Sequence, residues 1–449
     1  MNDIGSTNEA TSLVVEGLNA ESAISVVAEG VSSAINSLDP ANTSFIMLCA
    51  LLVLLMTPAL AMFYSGMVRS KNTLNTIMNC FIVFGVISLQ WVVLGFTLAF
   101  GEDTGSGIVG SFANFVLEGV TGYNDSGVPN ILFVIFQMMF ALIASAIITG
   151  SLVGRIKLGV LVVFLLFWST LVYDVLAHMI WSDDGFLLKR GSFDFAGGGV
   201  VHISSGVAGL VGALMVGARR QKDESIASGA NSIPYAFLGA ILLFIGWLGF
   251  NAGSAGAVDD IAVNAFAVTI LSASTGFLVW ILAEWIIHKK PTVLGGLSGL
   301  VAGLVAITPA CGYVAIWPSI FIGALASVFC YAGLSFIKYK LGLDDTLDAF
   351  SLHGIGGVWG GIATGLFASG AINPDVSAEG GLGEGLFISG SASLLIEQIL
   401  AIVICISLSA VISYAIFKII SLFTSLRVEE EVESQGLDRK IHGESAYNV

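Results

Sequence analysis

Two histidines stand where apolar membrane helices are expected. His202 closes the stretch DFAGGGVVH (194–202) and opens HISSGVAG, and His353 opens HGIGGVWG. In both, glycine follows four and seven residues after the histidine and valine follows five after. An ionisable side chain inside a membrane span is costly and marks a functional path by default. A neutral imidazole donates at one nitrogen and accepts at the other. Two of them could ligate a haem between helices, line a polar file for a small hydrogen-bonding solute, or pass a proton. A multi-haem cytochrome would want further histidine pairs in its spans, and there are none. A lining of this kind suits a solute the size of water or ammonia better than a sugar. His178 and His288 lie near span ends and read as interfacial, and His442 lies in the C-terminal tail.

A second constellation is aromatic. FVIFQMMF brings Phe136, Gln137 and Phe140 near one helix face, and HMIW ends on Trp181. GWLGFNAGSAG carries Trp247, Phe250, Asn251 and Ser254 towards the same outer side. Together with the Asp194 carboxylate these residues could hold a cation. Aromatic faces attract a positive charge while stripping its water, and a serine hydroxyl accepts a hydrogen bond from an ammonium group.

The elements that must position these groups follow from composition. The chain has 449 residues, of which only 11% are charged, against about 25% in a soluble domain; its mean hydropathy is +0.91. Apolar runs near 20 residues recur from residue 44 onward, each long enough for a hydrocarbon core of roughly 30 Å. The runs are continuous and not alternating, which disfavours a β-barrel. The 54 glycines point to closely packed helices. The reading is an all-α polytopic membrane protein with eleven transmembrane helices, at about 44–66, 74–100, 131–153, 158–181, 197–218, 232–251, 262–287, 293–309, 315–337, 350–369 and 391–418.

Charge supports the count. Arg69 and Lys71, Arg155 and Lys157, Arg219, Arg220 and Lys222, Lys289 and Lys290, Lys338 and Lys340, and Lys418, Arg427, Arg439 and Lys440 all follow or end odd-numbered spans. Lys189 and Arg190 are the exception. The positive-inside rule then sets the N-terminus outside and the C-terminus in the cytoplasm. Span five runs inward and span ten outward, so their shared histidine–glycine pattern reads as an inverted five-helix repeat plus one extra C-terminal helix, a design that sets its substrate site near the midplane. Asp194 sits at one mouth and Asp344, Asp345 and Asp348 at the other. His202 is about 12 Å deeper than Asp194, and His353 about 8 Å deeper than Asp348. The two rings could therefore touch.

The remaining features are plainer. Cys49, Cys80, Cys311, Cys330 and Cys405 form no CxxC pair, so neither a metal site nor a disulfide framework is indicated. Residues 1–42 hold six acids and no Lys or Arg, and read as an outer N-terminal segment with a weakly amphipathic helix through Leu18, Ile24, Val27, Val31, Ile35 and Leu38. Residues 43–420 make the eleven-helix membrane domain and 421–449 an inner tail, whose Glu429, Glu430, Glu431 and Glu433 read as a solvated run. The net charge of −15 gathers in tails and loops and does not point to nucleic acid.

Six separated motifs resemble one family. FYSGMVRSKN (63–72), DFAGGGVVH, GWLGFNAGSAG, ITPACGY (307–313), DDTLDAFSLHG (344–354) and GLDRKIHGESAY (436–447) are similar, in order, to signatures of the Amt/Mep/Rh superfamily of ammonium transporters, in its bacterial and archaeal Amt branch. The resemblance covers about 42–449. It implies a transporter and not an enzyme, without cofactor, in an inner or plasma membrane. It implies ammonium or ammonia as substrate, with methylammonium as an analogue, and a homotrimer with one pore per subunit. Phe136, Phe140, Trp181 and Ser254 would match the ammonium recruitment site, Phe140 and Phe250 the stacked phenyl gate, and His202 and His353 the pore pair. Asp194 would match the acid required near the recruitment site, in a structural or electrostatic role. A PII-type signal protein is the implied cytoplasmic partner. An ammonium sensor with little conduction and a Rh-like channel for neutral NH3 or CO2 are the rival readings. Two departures stand out: the long N-terminal segment, and the charged loop SDDGFLLKRGSF after Trp181.

Overall fold

The computed structural model describes residues 37–220, 230–377 and 383–447. The expected N-terminal helix falls on residues outside these, apart from Leu38. Eleven apolar helical segments are present among the described residues: α1 (Pro40–Met67), α2 (Ser70–Phe100), α3 (Asn130–Leu152), α4 (158–181), α5 (Gly198–Val216), α6 (Ile233–Gly253), α7 (Asp260–His288), α8 (Val293–Ile307), α9 (Ile316–Lys340), α10 (350–367) and α11 (Ser393–Phe423). Among the described residues, nine helices are by themselves long and apolar enough to cross a membrane. The other two are shorter than expected: α8 has 15 residues, and α10 is a five-residue turn followed by 13 helical residues. The described residues form helices and loops, with three isolated bridges in place of any sheet.

Local chemistry fixes the helix starts. Asp39 Oδ1 accepts from Asn42 N at 2.8 Å, with Pro40 at the first helical position, so α1 begins inside the expected N-terminal segment. Ser232, Asp259 and Thr292 cap α6, α7 and α8 in the same way. Interior irregularities recur, at matched places in α5 and α10. Wide, π-type turns occupy Trp91–Gly95 in α2, Ser169–Tyr173 in α4, Gly198–Ile203 at the start of α5 and Phe350–Gly354 at the start of α10. Such turns often occur at functional sites. Both His202 and His353 lie in one.

Glycines set how closely α5 and α10 approach. A Cβ on Gly206 would sit 2.5 Å from Gly354 N, and one on Gly357 2.7 Å from Gly198 O. Each is the glycine four residues beyond its histidine, and each meets the opening turn of the other helix. The glycines seven beyond, Gly209 and Gly360, meet Ser151 on α3 and Ala306 on α8. The contacts of the two halves thus correspond as the sequence echo requires.

At the opposite end from Trp181, the loops and tail are knitted together. Arg155 is fully buried, donating to Gly217 O (2.8 Å), Asp344 O (2.6 Å) and Thr346 Oγ1 (2.5 Å). Lys157 N donates to Leu426 O, and Val428 N to Arg155 O. Asp438 accepts from Leu74 N and Asn75 N at the start of α2. Of the tail acids, Glu429, Glu430 and Glu431 are exposed, as a solvated run requires, and Glu433 is half-buried. Glu433 pairs with Arg427 at 2.7 Å, Glu430 with Arg220 at 3.2 Å and Glu431 with Lys440 at 3.4 Å. Arg427 draws Glu433 in, which a reading of the acids alone could not foresee.

Burial alone would raise the Asp344 carboxyl, but the hydrogen-bonded Arg219 guanidinium and Arg155 hold it well below the usual carboxylate range. A carboxyl depressed on folding stabilises the fold above its unfolded value, and that contribution disappears as pH falls through its folded value. Arg219→Gln is therefore expected to move the acid-unfolding midpoint to higher pH, read by thermal melts of the purified protein across an acid series. An unchanged midpoint would remove Asp344 as a source of acid stability.

Candidate functional site

At the Trp181 end a cavity of about 220 Å³ opens among α1, α3, α4 and α6. Phe136, Gln137, Phe140, Trp181, Phe195 and Ser254 are among its lining residues. Four of the five expected recruitment residues therefore meet there. Phe136 and Phe140 lie one turn apart on α3, with ring centroids 5.0 Å apart and an interplanar angle of 67°. Trp181 meets Phe140 edge-on at 6.1 Å and 90°. Ser254 follows the last residue of α6, where its hydroxyl donates to Phe250 O at 3.0 Å, leaving its lone pairs for a donor. Gln137 Oε1 is buried and unpartnered, a further acceptor beside the aromatic faces.

Asp194, the fifth, is arranged differently. It does not line the cavity and is not on the helix: residues 194–197 precede α5, and Gly197 has φ +110°. Glycine reaches that left-handed region at little steric cost. The turn folds the carboxylate back over the helix start. Oδ1 accepts from Gly197 N (2.9 Å) and Gly198 N (2.5 Å), and Oδ2 from Gly199 N (2.8 Å) and Val200 N (3.2 Å). These are the orphan donors of a helix N-terminus, where a negative charge is favoured. Asp194 touches the aromatic site through its main chain, since Trp181 Nε1 donates to Asp194 O at 2.7 Å.

The opposite half repeats this device. Asp345 lies eight residues before His353, as Asp194 does before His202. It accepts from Phe350 N at 2.8 Å and from Ser151 Oγ at 2.7 Å. Depth measured along the sequence from Asp348 overlooks it. The equal eight-residue spacing is the signal that finds Asp345.

Beneath the cavity Phe140 and Phe250 stack, with centroids 4.1 Å apart and planes 17° apart; both rings are buried. His202 comes next, 6.1 Å from Phe250. His353 Nδ1 and His202 Nδ1 are 3.2 Å apart. One nitrogen must carry the hydrogen and the other the lone pair, so the two rings hold complementary tautomers. His202 Nε2 is buried without a partner. An orphaned polar atom in a native interior asks for an occupant. A cavity of about 10 Å³ beside His353 is lined by Leu60, Phe63, Tyr64, Trp247 and Leu352 among others.

Two sequence readings are corrected by position. Trp247, expected with the outer aromatic group, is not among the residues lining that cavity: it is 2% exposed, stacks on His202 at 5.2 Å and donates Nε1 to Thr308 Oγ1. His178 is fully buried, with Nδ1 3.0 Å from Ala99 O and Nε2 3.1 Å from Asp103 Oδ1. A place near a helix end carries no information on which face each ring takes. His288 remains at the surface beside Tyr331, as expected. Among the described residues, no group of three or more His, Cys, Asp and Glu side chains could hold a metal ion.

A sequence profile of the Ammonium Transporter Family matches residues 44–447. An ammonium transporter of Bacillus subtilis (strain 168) is 48% identical over 410 residues, covering 90% of this chain and 98% of that protein. One of Aquifex aeolicus (strain VF5) is 44% identical over 415 residues, covering 92% and 94%. The solved structure of Saccharomyces cerevisiae Mep2 is similar with a TM-score of 0.80 at 31% identity, over 88% of this chain and 89% of that one. A structure described as a Sensor Amt Protein is similar with a TM-score of 0.81 at 26% identity, over 89% and 98%.

Proposed function

This chain belongs to the Ammonium Transporter Family, and we propose that it moves ammonium across a membrane by recruiting NH4+ at the aromatic cavity, deprotonating it, and passing NH3 along the two histidines. The single observation that carries the pathway is the unbroken order cavity, stacked phenyl pair, unpartnered His202 Nε2, His353. Phe136, Phe140 and Trp181 supply faces for a cation, and Ser254 and Gln137 supply acceptors for its N–H groups. The stacked Phe140–Phe250 pair closes the route to a hydrated ion.

The energetics argue for deprotonation. Moving an ammonium-sized ion from water into a dry interior costs of order 20 kcal/mol in the idealised limit, and several after relaxation. Neutral NH3 avoids that cost and still needs hydrogen-bond partners, which the histidine pair offers. The proton crosses by a separate or coupled route, so net charge moves. Asp194 acts at one remove: it ties down the start of α5, which carries His202, and its carbonyl holds the Trp181 indole.

Trp181→Leu is expected to weaken apparent ammonium affinity by about 0.5–2 kcal/mol, the range of a cation–π contact. It should leave maximal flux less affected, because the pore below is untouched. Concentration dependence of the transport current measures it.

The reading extends to orientation and assembly. The basic clusters near Arg69, Arg155, Arg219 and Arg427 support a cytoplasmic C-terminus with eleven crossings. The exception at Lys189 and Arg190 is offset locally by Asp184 and Glu397. Residues 43–420 would form the transporter body and 421–449 the inner tail, with 1–42 outside. A homotrimer, a PII-type partner at the tail end and an inner or plasma membrane location rest on the family resemblance.

A second reading, an ammonium sensor with little conduction, is favoured by the likeness to the sensor structure. Solid-supported-membrane electrophysiology on purified protein in liposomes, pulsed with ammonium, separates them. A saturable current supports transport with charge movement. Ammonium binding without current supports the sensor, and an internal pH change without current supports a neutral-gas channel.

A further inference from the structure

A second polar site lies in the membrane span of α4, outside the histidine file. Asp174 is fully buried and comes directly after the wide turn Ser169–Tyr173. Its Oδ2 accepts from Gln90 Nε2 at 2.7 Å, while Oδ1 has no partner. Gln90 lies on α2 just before that helix's own wide turn. Its Nε2 also donates to Thr170 Oγ1 at 3.1 Å, while its Oε1 has no partner. Two oxygens of one side-chain pair are therefore buried and unsatisfied, and both are acceptors when the carboxyl is ionised.

No cation answers the charge. Among the described residues Asp174 makes no ion pair. Over its buried stretch α2 carries Cys80 as its titratable group, bonded to Thr149 on α3, and α3 itself carries none. On the start of α5, Asp194 is engaged by four amides and His202 by His353. On α11, Glu397 pairs with Arg190, and Cys405 packs against Gly199. On α4 itself, His178 faces Ala99 and Asp103, and the adjacent Tyr173 hydroxyl is unpartnered. An isolated buried carboxylate costs several kcal/mol and neutralises itself instead.

One proton resolves both orphans. We propose that Asp174 and Gln90 form an intramembrane proton-binding site in which Asp174 is a neutral acid at neutral pH. Asp174 Oδ1–H donates to Gln90 Oε1 while Gln90 Nε2–H donates to Asp174 Oδ2, closing a two-point acid–amide pair. The Gln90 amide is held for this: a Cβ on Gly95 would lie 2.8 Å from its Oε1 and 3.0 Å from its Nε2, so the group rests directly on the Gly95 backbone. The pair joins α2 to α4 where both helices depart from regular winding. Losing the proton sets Oδ1 against Oε1 and unlocks the two helices. The site is independent of the transport reading, since it needs no solute.

Infrared difference spectroscopy tests it on the full chain in liposomes. Wild type minus Asp174→Asn at neutral pH is expected to show the carbonyl stretch of a protonated carboxylic acid, lowered in D2O and lost at alkaline pH. Asparagine keeps both hydrogen bonds without a titrating proton, so this variant should melt like wild type at neutral pH and above it at alkaline pH. A carboxylate band in place of the acid band would overturn the proposal. Should Asp174→Asn fail to fold, Gln90→Leu carries the test. Removing the amide donor should raise the frequency of the same acid band, and an unmoved band would overturn the pair.

Discussion

Alanine at both His202 and His353 is expected to cut ammonium flux by about thirty-fold or more while leaving the helix bundle assembled. The two Nδ1 atoms are 3.2 Å apart, and His202 Nε2 is buried unpartnered beside the proposed pathway. Removing both rings deletes the polar groups lining the span between the phenyl pair and the cavity beside His353. A hydrogen bond left unmade in a dry site costs about 1–3 kcal/mol, so losing two costs at least about 2 kcal/mol, roughly thirty-fold in rate. Removing both at once also avoids stranding one imidazole without its partner, which either single variant would do. The measurement is ammonium-driven current and internal pH in liposomes, with a thermal melt as the control for folding. Full selective flux in the double variant would place the route elsewhere.

Asp194→Ala carries the second large effect, on stability as much as on flux. Four backbone N–H groups converge on that carboxylate, which is 9% exposed as a residue. Alanine leaves them without an acceptor at the start of a buried helix. Loss of an N-cap alone costs about 0.5–2 kcal/mol, and unsatisfied buried donors add to that. A total of about 2–4 kcal/mol is expected from the two costs together, with the current lost because the first turn of α5 carries His202. Asp194→Asn keeps one acceptor oxygen and should recover part of the stability. Equal melting temperatures for wild type and Asp194→Ala would show that the cap is not what holds α5. A normal melt with abolished current would shift the role of Asp194 from positioning to electrostatics.

The membrane class, the helical segments and the pairing of His202 with His353 are legible in the sequence because each is written locally. Apolar run length reports a span, and the repeated glycine spacing reports two helices of the same build. The capping aspartates are half legible. Asp194 is visible as an acid before a glycine run, but its four amide bonds depend on the φ of Gly197, which composition does not reveal. Asp345 is visible only once the eight-residue spacing is compared between halves.

Which residue types each helix carries, and in what order, belongs to the chain alone, because hydropathy and capping are properties of neighbours along it. Which faces meet belongs to the packed bundle. Apolar residues surround these helices on several sides, so periodicity leaves their rotation open, and each wide turn rotates the helical residues beyond it. That freedom let Trp247 turn inward onto His202, buried His178 against Asp103, and set Asp174 beside Gln90. It also let the tail's acids find Arg220, Arg427 and Lys440. Most contacts of this kind join residues far apart in sequence, and only the folded bundle brings them within hydrogen-bond reach.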